Sequence, residues 1–222
     1  WNPLAQLAPP KSMLILEIGD EWLKMAGVSV ASKSRKITSL DAESVHGFSE
    51  MEKSTKIAAF IRKHSLKPSK VIILHPSQSL TTRILSLPST DLNEIKDIVG
   101  LQAVKQTPYA KEEISTGFHL IDSDPTGYSR VFLAISHRDV ASSFFRTAEF
   151  ANLSTDQINI SLEGVRSWFE IGLSKEKKAV DEVTLLLDID AVSTEFLILQ
   201  GTRMIFNRSL SFGIKHLEER ES

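Results

Sequence analysis

Two stretches of this chain set acidic residues and a tight turn at the end of an apolar run. That pattern brings carboxylates and backbone amides to a place where a cation or a phosphate can be held. The first is Leu14-Ile15-Leu16-Glu17-Ile18-Gly19, followed by Asp20; the second, 171 residues later, is Leu185-Leu186-Leu187-Asp188-Ile189-Asp190. Glu17 and Asp188 stand at strand ends, either as Mg²⁺ ligands or as turn acids that cap local amides. A second apolar stretch follows each turn, from Trp22 to Val30 and from Phe196 to Leu199. Each copy reads as a buried strand, a turn and a returning strand, and the repetition predicts two related lobes facing a common cleft.

Other chemistries lack their signatures. No Gly-x-Gly-x-x-Gly, Gly-x-x-x-x-Gly-Lys or Gly-x-Ser-x-Gly occurs, which removes the dinucleotide, P-loop and serine-hydrolase motifs. There is no cysteine, so disulfides, thiolate metal sites and cysteine nucleophiles are excluded. The six histidines, at 46, 64, 75, 119, 137 and 216, show no helical metal-ligand spacing and read as surface or strand-edge residues. Net charge is −2, which gives no reason to expect nucleic acid. The basic clusters Lys33-Ser34-Arg35-Lys36 and Lys175-Glu176-Lys177-Lys178 read as solvated loops. The pairs Phe144-Phe145 and Trp168-Phe169 read as helix residues turned to the core. Residues 1–12 read as a leader or linker without signal-peptide character, and no apolar run is long enough to span a bilayer. The Asn-x-Ser triplets at Asn152, Asn159 and Asn207 read as chance matches, and the protein as cytosolic.

The elements that must position these turns follow from periodicity and punctuation. Residues 14–18 and 23–30 form a hairpin, with 37–45 as a third strand. Ser49 and Glu52 have capping-box spacing, and Ile57, Phe60 and Ile61 make one face of a helix over 50–65. Strands follow at 71–74 and 81–87. A helix opens at Asp91 and ends near Gln106, before Pro108. Strands 114–121 and 129–136 flank the turn-rich tip at 122–127. Helical spacing returns around Phe144 and Phe169. The polar run 174–182 separates the lobes, and a second hairpin turns at Gln200-Gly201-Thr202 and returns through 204–210. Phe212-Gly213 leads into a last helix.

In order and motif, these residues resemble the PilM family, the actin-like cytoplasmic proteins of type IV pilus assembly, and more distantly GspL of type II secretion. Gly19-Asp20-Glu21-Trp22-Leu23-Lys24 is similar to that family's first phosphate loop. Asp188-Ile189-Asp190-Ala191-Val192-Ser193-Thr194-Glu195 is similar to its second. Leu85-Ser86-Leu87-Pro88, and Gln102 to Glu113 with Thr107-Pro108-Tyr109 inside, resemble its inserted subdomain.

The resemblance implies an α/β, actin-like fold of the FtsA/PilM type. Residues 13–88 plus 154–174 would form the first lobe, 89–153 an inserted α+β subdomain, and 181–222 the start of a second lobe left incomplete. It implies ATP contacts at Gly19, Asp20, Lys24, Asp188, Asp190, Ser193 and Thr194, with Mg²⁺ at Glu17 and Asp188 if nucleotide binds. This sequence departs from the pattern where it matters. Asp20, Glu21 and Trp22 replace hydroxyl residues, and Asp190 replaces a glycine, so carboxylates would face a polyanion at about 1 kcal/mol per pair at 4 Å even in bulk water. No cofactor, a degenerate nucleotide site and no hydrolysis are therefore expected. The implied role is a scaffold, peripheral at the inner membrane, that holds the cytoplasmic N-terminal tail of a bitopic PilN-like protein. The inserted subdomain, with Thr107, Pro108 and Tyr109, would carry that contact. An assembly ATPase and a second copy of the chain are further partners the resemblance suggests. The competing classes are an active actin-like ATPase and a GspL-like adaptor that docks a secretion ATPase.

Overall fold

In the computed structural model, residues 11–31, 34–176 and 182–218 are described. The proposed leader therefore lies outside the described residues up to Pro10, as do Lys33 and most of the 174–182 separator. Residues Lys11 and Ser12, placed in the leader by sequence, already belong to the first strand.

The chain divides into two units, one of residues 1–75 and 142–159, the other of 76–141 and 160–222. The first unit is built on a five-stranded sheet. Its strands are β1 (Lys11–Ile18), β2 (Trp22–Ala31), β3 (Ser34–Ser44), β4 (Lys70–His75) and β8 (Gln157–Ile160), in the order β3-β2-β1-β4-β8. β1 pairs antiparallel with β2 and parallel with β4. Alternation puts Leu14, Leu16 and Ile18 in the core, with Leu23 and Met25 of β2 and Val71 and Ile73 of β4. Arg35 and Lys36 are solvated as expected, but as the start of β3 and not as a loop. β8 has no counterpart in the sequence reading, because a four-residue strand is too short for a period to show.

Helix α1 (Glu50–Lys63) opens with the Ser49–Glu52 capping box and seats Ile57 and Phe60 in the core. Such a cap contributes about 1 kcal/mol. Helix α3 (Arg138–Phe150) buries Phe144, which meets the ring of His75 edge-on at 4.8 Å. His75 is thus a core residue and not a surface one. Arg146 of α3 donates to both carboxylate oxygens of Glu50.

The second unit has two three-stranded sheets. One, in the order β5-β7-β6, comprises β5 (Leu80–Leu87), β6 (Ile114–Ser123) and β7 (Ser129–His137). β5, which sequence grouped with residues 13–88, pairs along its length with β7. β7 is central, so of the two strands expected to offer an edge only β6 does. Helix α2 (Leu92–Lys105), N-capped by Asp91, covers one face of this sheet with Ile95, Val99 and Ala103 packed on Val131, Leu133 and Ile135.

The other sheet, in the order β11-β10-β9, comprises β9 (Val183–Ile189), β10 (Thr194–Gln200) and β11 (Arg203–Leu210). Leu197, Leu199 and Met204 pack with Phe132 and Ala134 of β7 and with Leu162 of helix α4 (Ser161–Glu176). The expectation of a buried strand fails for β9. Val183, Leu185, Leu187 and Ile189 are each at least half exposed, because β9 is an edge strand whose outer face nothing covers among the described residues. The aromatic pairs split likewise: Phe144 is buried, whereas Phe145 is exposed and Trp168 is 72% exposed. A short helix, α5 (Ile214–Glu218), follows Gly213.

Candidate functional site

Both motifs make the same return. In the first unit Ile18 pairs with Leu23, and Gly19 N–H donates to Trp22 O at 3.0 Å, leaving only Asp20 and Glu21 at the tip. In the second unit Ile189 pairs with Thr194, and Asp190 N–H donates to Ser193 O at 2.9 Å, leaving Ala191 and Val192 at the tip. Glycine is needed in the first turn, since a Cβ on Gly19 would stand 2.9 Å from Trp22 O. The second turn carries an aspartate at the same place.

The first turn is tied down by charges that face one another. Lys24 and Glu17, opposite one another on β2 and β1, form an ion pair of 2.7 Å. Glu21 turns back to His46 Nδ1 at 2.9 Å, and its carbonyl accepts from Val45 N–H. Lys53 of α1 donates to Gly19 O at 2.9 Å and lies 3.8 Å from Asp20, which is 92% exposed. Sequence reasoning missed Lys53. The available signal was its place four residues before Ile57, on the apolar stripe of α1, where a lysine needs a reason to be.

The second turn is held by its own residues and by the segment before α5. Asp190 Oδ1 accepts from Ala191 N–H at 2.8 Å. Thr194 Oγ1 donates to Phe212 O at 2.6 Å. The carbonyls of Asp190 and Ala191 accept from the amides of Ile214 and Lys215, each at 3.0 Å. This approach requires Gly213, where a Cβ would lie 2.3 Å from Asp190 O. Ser193 and Thr194 are both buried.

Beyond the turn, Glu195 occupies the middle strand between Asp188 on β9 and Ser209 on β11. It is 8% exposed, and among the described residues neither carboxylate oxygen makes a hydrogen bond of good geometry, although the Ser209 hydroxyl faces it from β11. Burial pushes its carboxyl above the ordinary range; the Ser209 hydroxyl opposes that rise and the charge of Asp188 adds to it. Among the described residues no group of three or more metal-ligating side chains is gathered in one place. Glu17 faces Lys24, and Asp188 faces Glu195. The third group of expected residues lies in the second unit. Thr107, Pro108 and Tyr109 form a bend after α2, with Tyr109 exposed and edge-on to His137 at 4.9 Å.

The family model described as type IV pilus assembly protein PilM matches residues 17–220. Among solved structures, the chain is similar to a PilM–PilN type IV pilus biogenesis complex, with a TM-score of 0.82 and 20% identity over 93% of this chain and 63% of that chain. This chain thus spans under two thirds of the length of that relative. The cytoplasmic domain of EpsL, an inner membrane component of the type II secretion system of Vibrio cholerae, matches with a TM-score of 0.57 and 7% identity over 90% of this chain and 71% of that one. A protein of actin-like ATPase fold and unknown function from Bacteroides thetaiotaomicron matches with a TM-score of 0.57 and 7% identity, covering 99% and 76%. At these identities the likeness shows the fold, which is actin-like. No curated protein sequence matches the chain.

The buried carboxyl yields a pH prediction. Glu195 titrates above the ordinary 4.5 in the folded state, so folding favours its protonated form. The stability it contributes is fully present below that pH and is lost as pH rises through the folded value. Glu195→Gln, neutral throughout, should melt higher than wild type at neutral pH, the gap closing as the pH falls towards 4.5. Thermal melts across that window that show no gain at neutral pH would contradict the assignment.

Proposed function

The chain belongs to the PilM family of type IV pilus assembly proteins, and from that premise we propose that it is an adaptor and not an ATPase. It would sit at the cytoplasmic face of the inner membrane, held there by the cytoplasmic tail of a bitopic PilN-like partner. One observation carries the non-enzymatic half of this reading: the polar groups that an actin-like fold turns towards phosphate are here already used within the fold. Gly19 and Asp190 amides close their own turns, Ala191 N–H is taken by the Asp190 carboxylate, Thr194 by Phe212 O, and Lys24 by Glu17. A nucleotide would have to break these bonds, each worth roughly 0.5–1.5 kcal/mol net, before gaining its own.

Support for the partner comes from the similar structure being a PilM–PilN complex. The inserted subdomain offers two features suited to a peptide, the edge of β6, which no strand among the described residues pairs on its outer side, and the exposed Tyr109. Among the described residues no helix is long and apolar enough to cross a membrane. The likeness to the EpsL domain favours a second reading, an adaptor that docks a secretion ATPase.

Two experiments test these proposals. Pull-down of inner-membrane assembly proteins, with and without residues 89–153, should lose the bitopic partner on deletion; a folded deletion variant with undiminished capture would move the contact elsewhere. Calorimetry with Mg·ATP should give weak or no binding to the wild type. Asp190→Gly, which frees Ala191 N–H and removes a charge, should bind more tightly, and low-micromolar affinity of the wild type would refute the degenerate site.

A further inference from the structure

Strand β3 is one edge of the first unit's sheet and pairs with β2 alone. At 11 residues it is the longest strand described, about 36 Å at about 3.3 Å per residue. Among the described residues no strand meets the main-chain N–H and C=O groups on its outer side, which makes it a template for pairing. A bulge decides what this edge displays. Ser39 faces Gly27 and Ile37 faces Val28, so Thr38 is the extra residue, its hydroxyl donating to Gly27 O at 3.1 Å. The bulge brings Ile37 and Leu40 onto one face, since their partners Val28 and Ala26 are two apart on β2. They are 62% and 70% exposed.

Charge changes sign along this strand. Arg35 and Lys36, both exposed, stand at one end and pair with no acid among the described residues. Asp41 and Glu43 stand at the other, on the same face as Lys36, because all three lie opposite alternate residues of β2, Met25, Leu23 and Ser29. Lys63 and Lys56 of α1 hold these acids at 3.1 and 2.6 Å, and a carboxylate accepts from more than one donor. The strand that answers such an edge is an antiparallel copy of itself. About a two-fold axis between Thr38 and Ser39, Lys36 meets Asp41 of the second copy, Ile37 meets its Leu40 and Thr38 its Ser39, each contact occurring twice. A parallel copy in register would set like charges against each other at both ends.

We propose that the chain self-associates through β3 as a two-fold dimer, joining the five-stranded sheets of two copies into one continuous sheet. Edge pairing covers less surface than a standard interface, so a weak dimer, of roughly micromolar affinity, is expected. All of β3 lies outside residues 89–153, so failure here leaves the partner contact proposed above standing, and failure there leaves this one.

Sedimentation velocity on the full chain tests the proposal, over roughly 1–300 µM, a range that brackets such an affinity. A monomer–dimer equilibrium is expected. Arg35→Glu with Lys36→Glu should weaken it about tenfold or more, with unchanged circular dichroism, since acid then faces acid at both ends. Asp41→Lys with Glu43→Lys should weaken it likewise. An equimolar mixture of these two variants should dimerise as the wild type does, because the mixed pair restores opposite charges at each end. Amide hydrogen exchange on the wild-type chain depends on no variant folding: residues 35–44 should exchange more slowly at the high concentration than at the low, with no change in β9. A monomer at every concentration would overturn the proposal. So would a dimer indifferent to reversal at 35 and 36, a mixture of two folded variants that stays monomeric, or protection that falls on another edge and not on β3.

Discussion

The structure depends on one constraint stated twice: an apolar strand must reverse within two residues and close the reversal with a backbone hydrogen bond from residue i to residue i+3. Gly19 N–H to Trp22 O does this in the first unit, and Asp190 N–H to Ser193 O in the second. Each reversal sets the register of the hairpin that follows it, and a slip of one residue would turn every core side chain to solvent. Leu14, Leu16, Leu23 and Met25 are buried together because the first return is tight, and Leu197 and Leu199 reach the core because the second is. The repeat visible in the sequence is therefore a repeat of backbone geometry.

The two turns are secured by different means, and the difference bears on function. The first is held by charge: Glu17 with Lys24, Glu21 with His46, and Lys53 on the Gly19 carbonyl. Partly exposed pairs of this kind contribute up to about 1 kcal/mol each, so they shape the turn more than they stabilise the fold. The second is held by backbone, with two carbonyls capped by the Ile214 and Lys215 amides and Gly213 pressed against them. The acids that read in the sequence as a field facing a polyanion have mostly been given other work. Of Asp20, Glu21 and Asp190, Asp20 is the one exposed to solvent, 3.8 Å from Lys53, since Glu21 pairs with His46 and Asp190 bonds its own turn. On the adaptor reading proposed above, the obstacle to a phosphate is less one of repulsion than one of donors already in use.

How far the fold could be read from sequence follows from how local its causes are. The Ser49–Glu52 cap, the Asp91 cap and the Gly201 turn, with φ of +60°, were legible because residues a few positions apart determine them. β8 was not, being four residues long and set by pairing with a distant strand. The exposure of β9 was hidden because an apolar run looks the same whether or not something covers it. Trp168 misled for the same reason. In the site, the strand-end acids and the turn residues were found by motif. Lys53, the Thr194–Phe212 bond and the buried Glu195 were not, since each rests on a contact or burial made only in three dimensions. Membership of the PilM family supplies the frame within which these contacts are made.

The claim that both turns spend their donors internally is tested most directly by amide hydrogen exchange at Gly19, Asp190 and Ala191, with and without Mg·ATP. The account predicts slow exchange in the free protein and no change on adding nucleotide. Fast exchange in the free protein that becomes slow with Mg·ATP would show amides waiting for phosphate, and would contradict it.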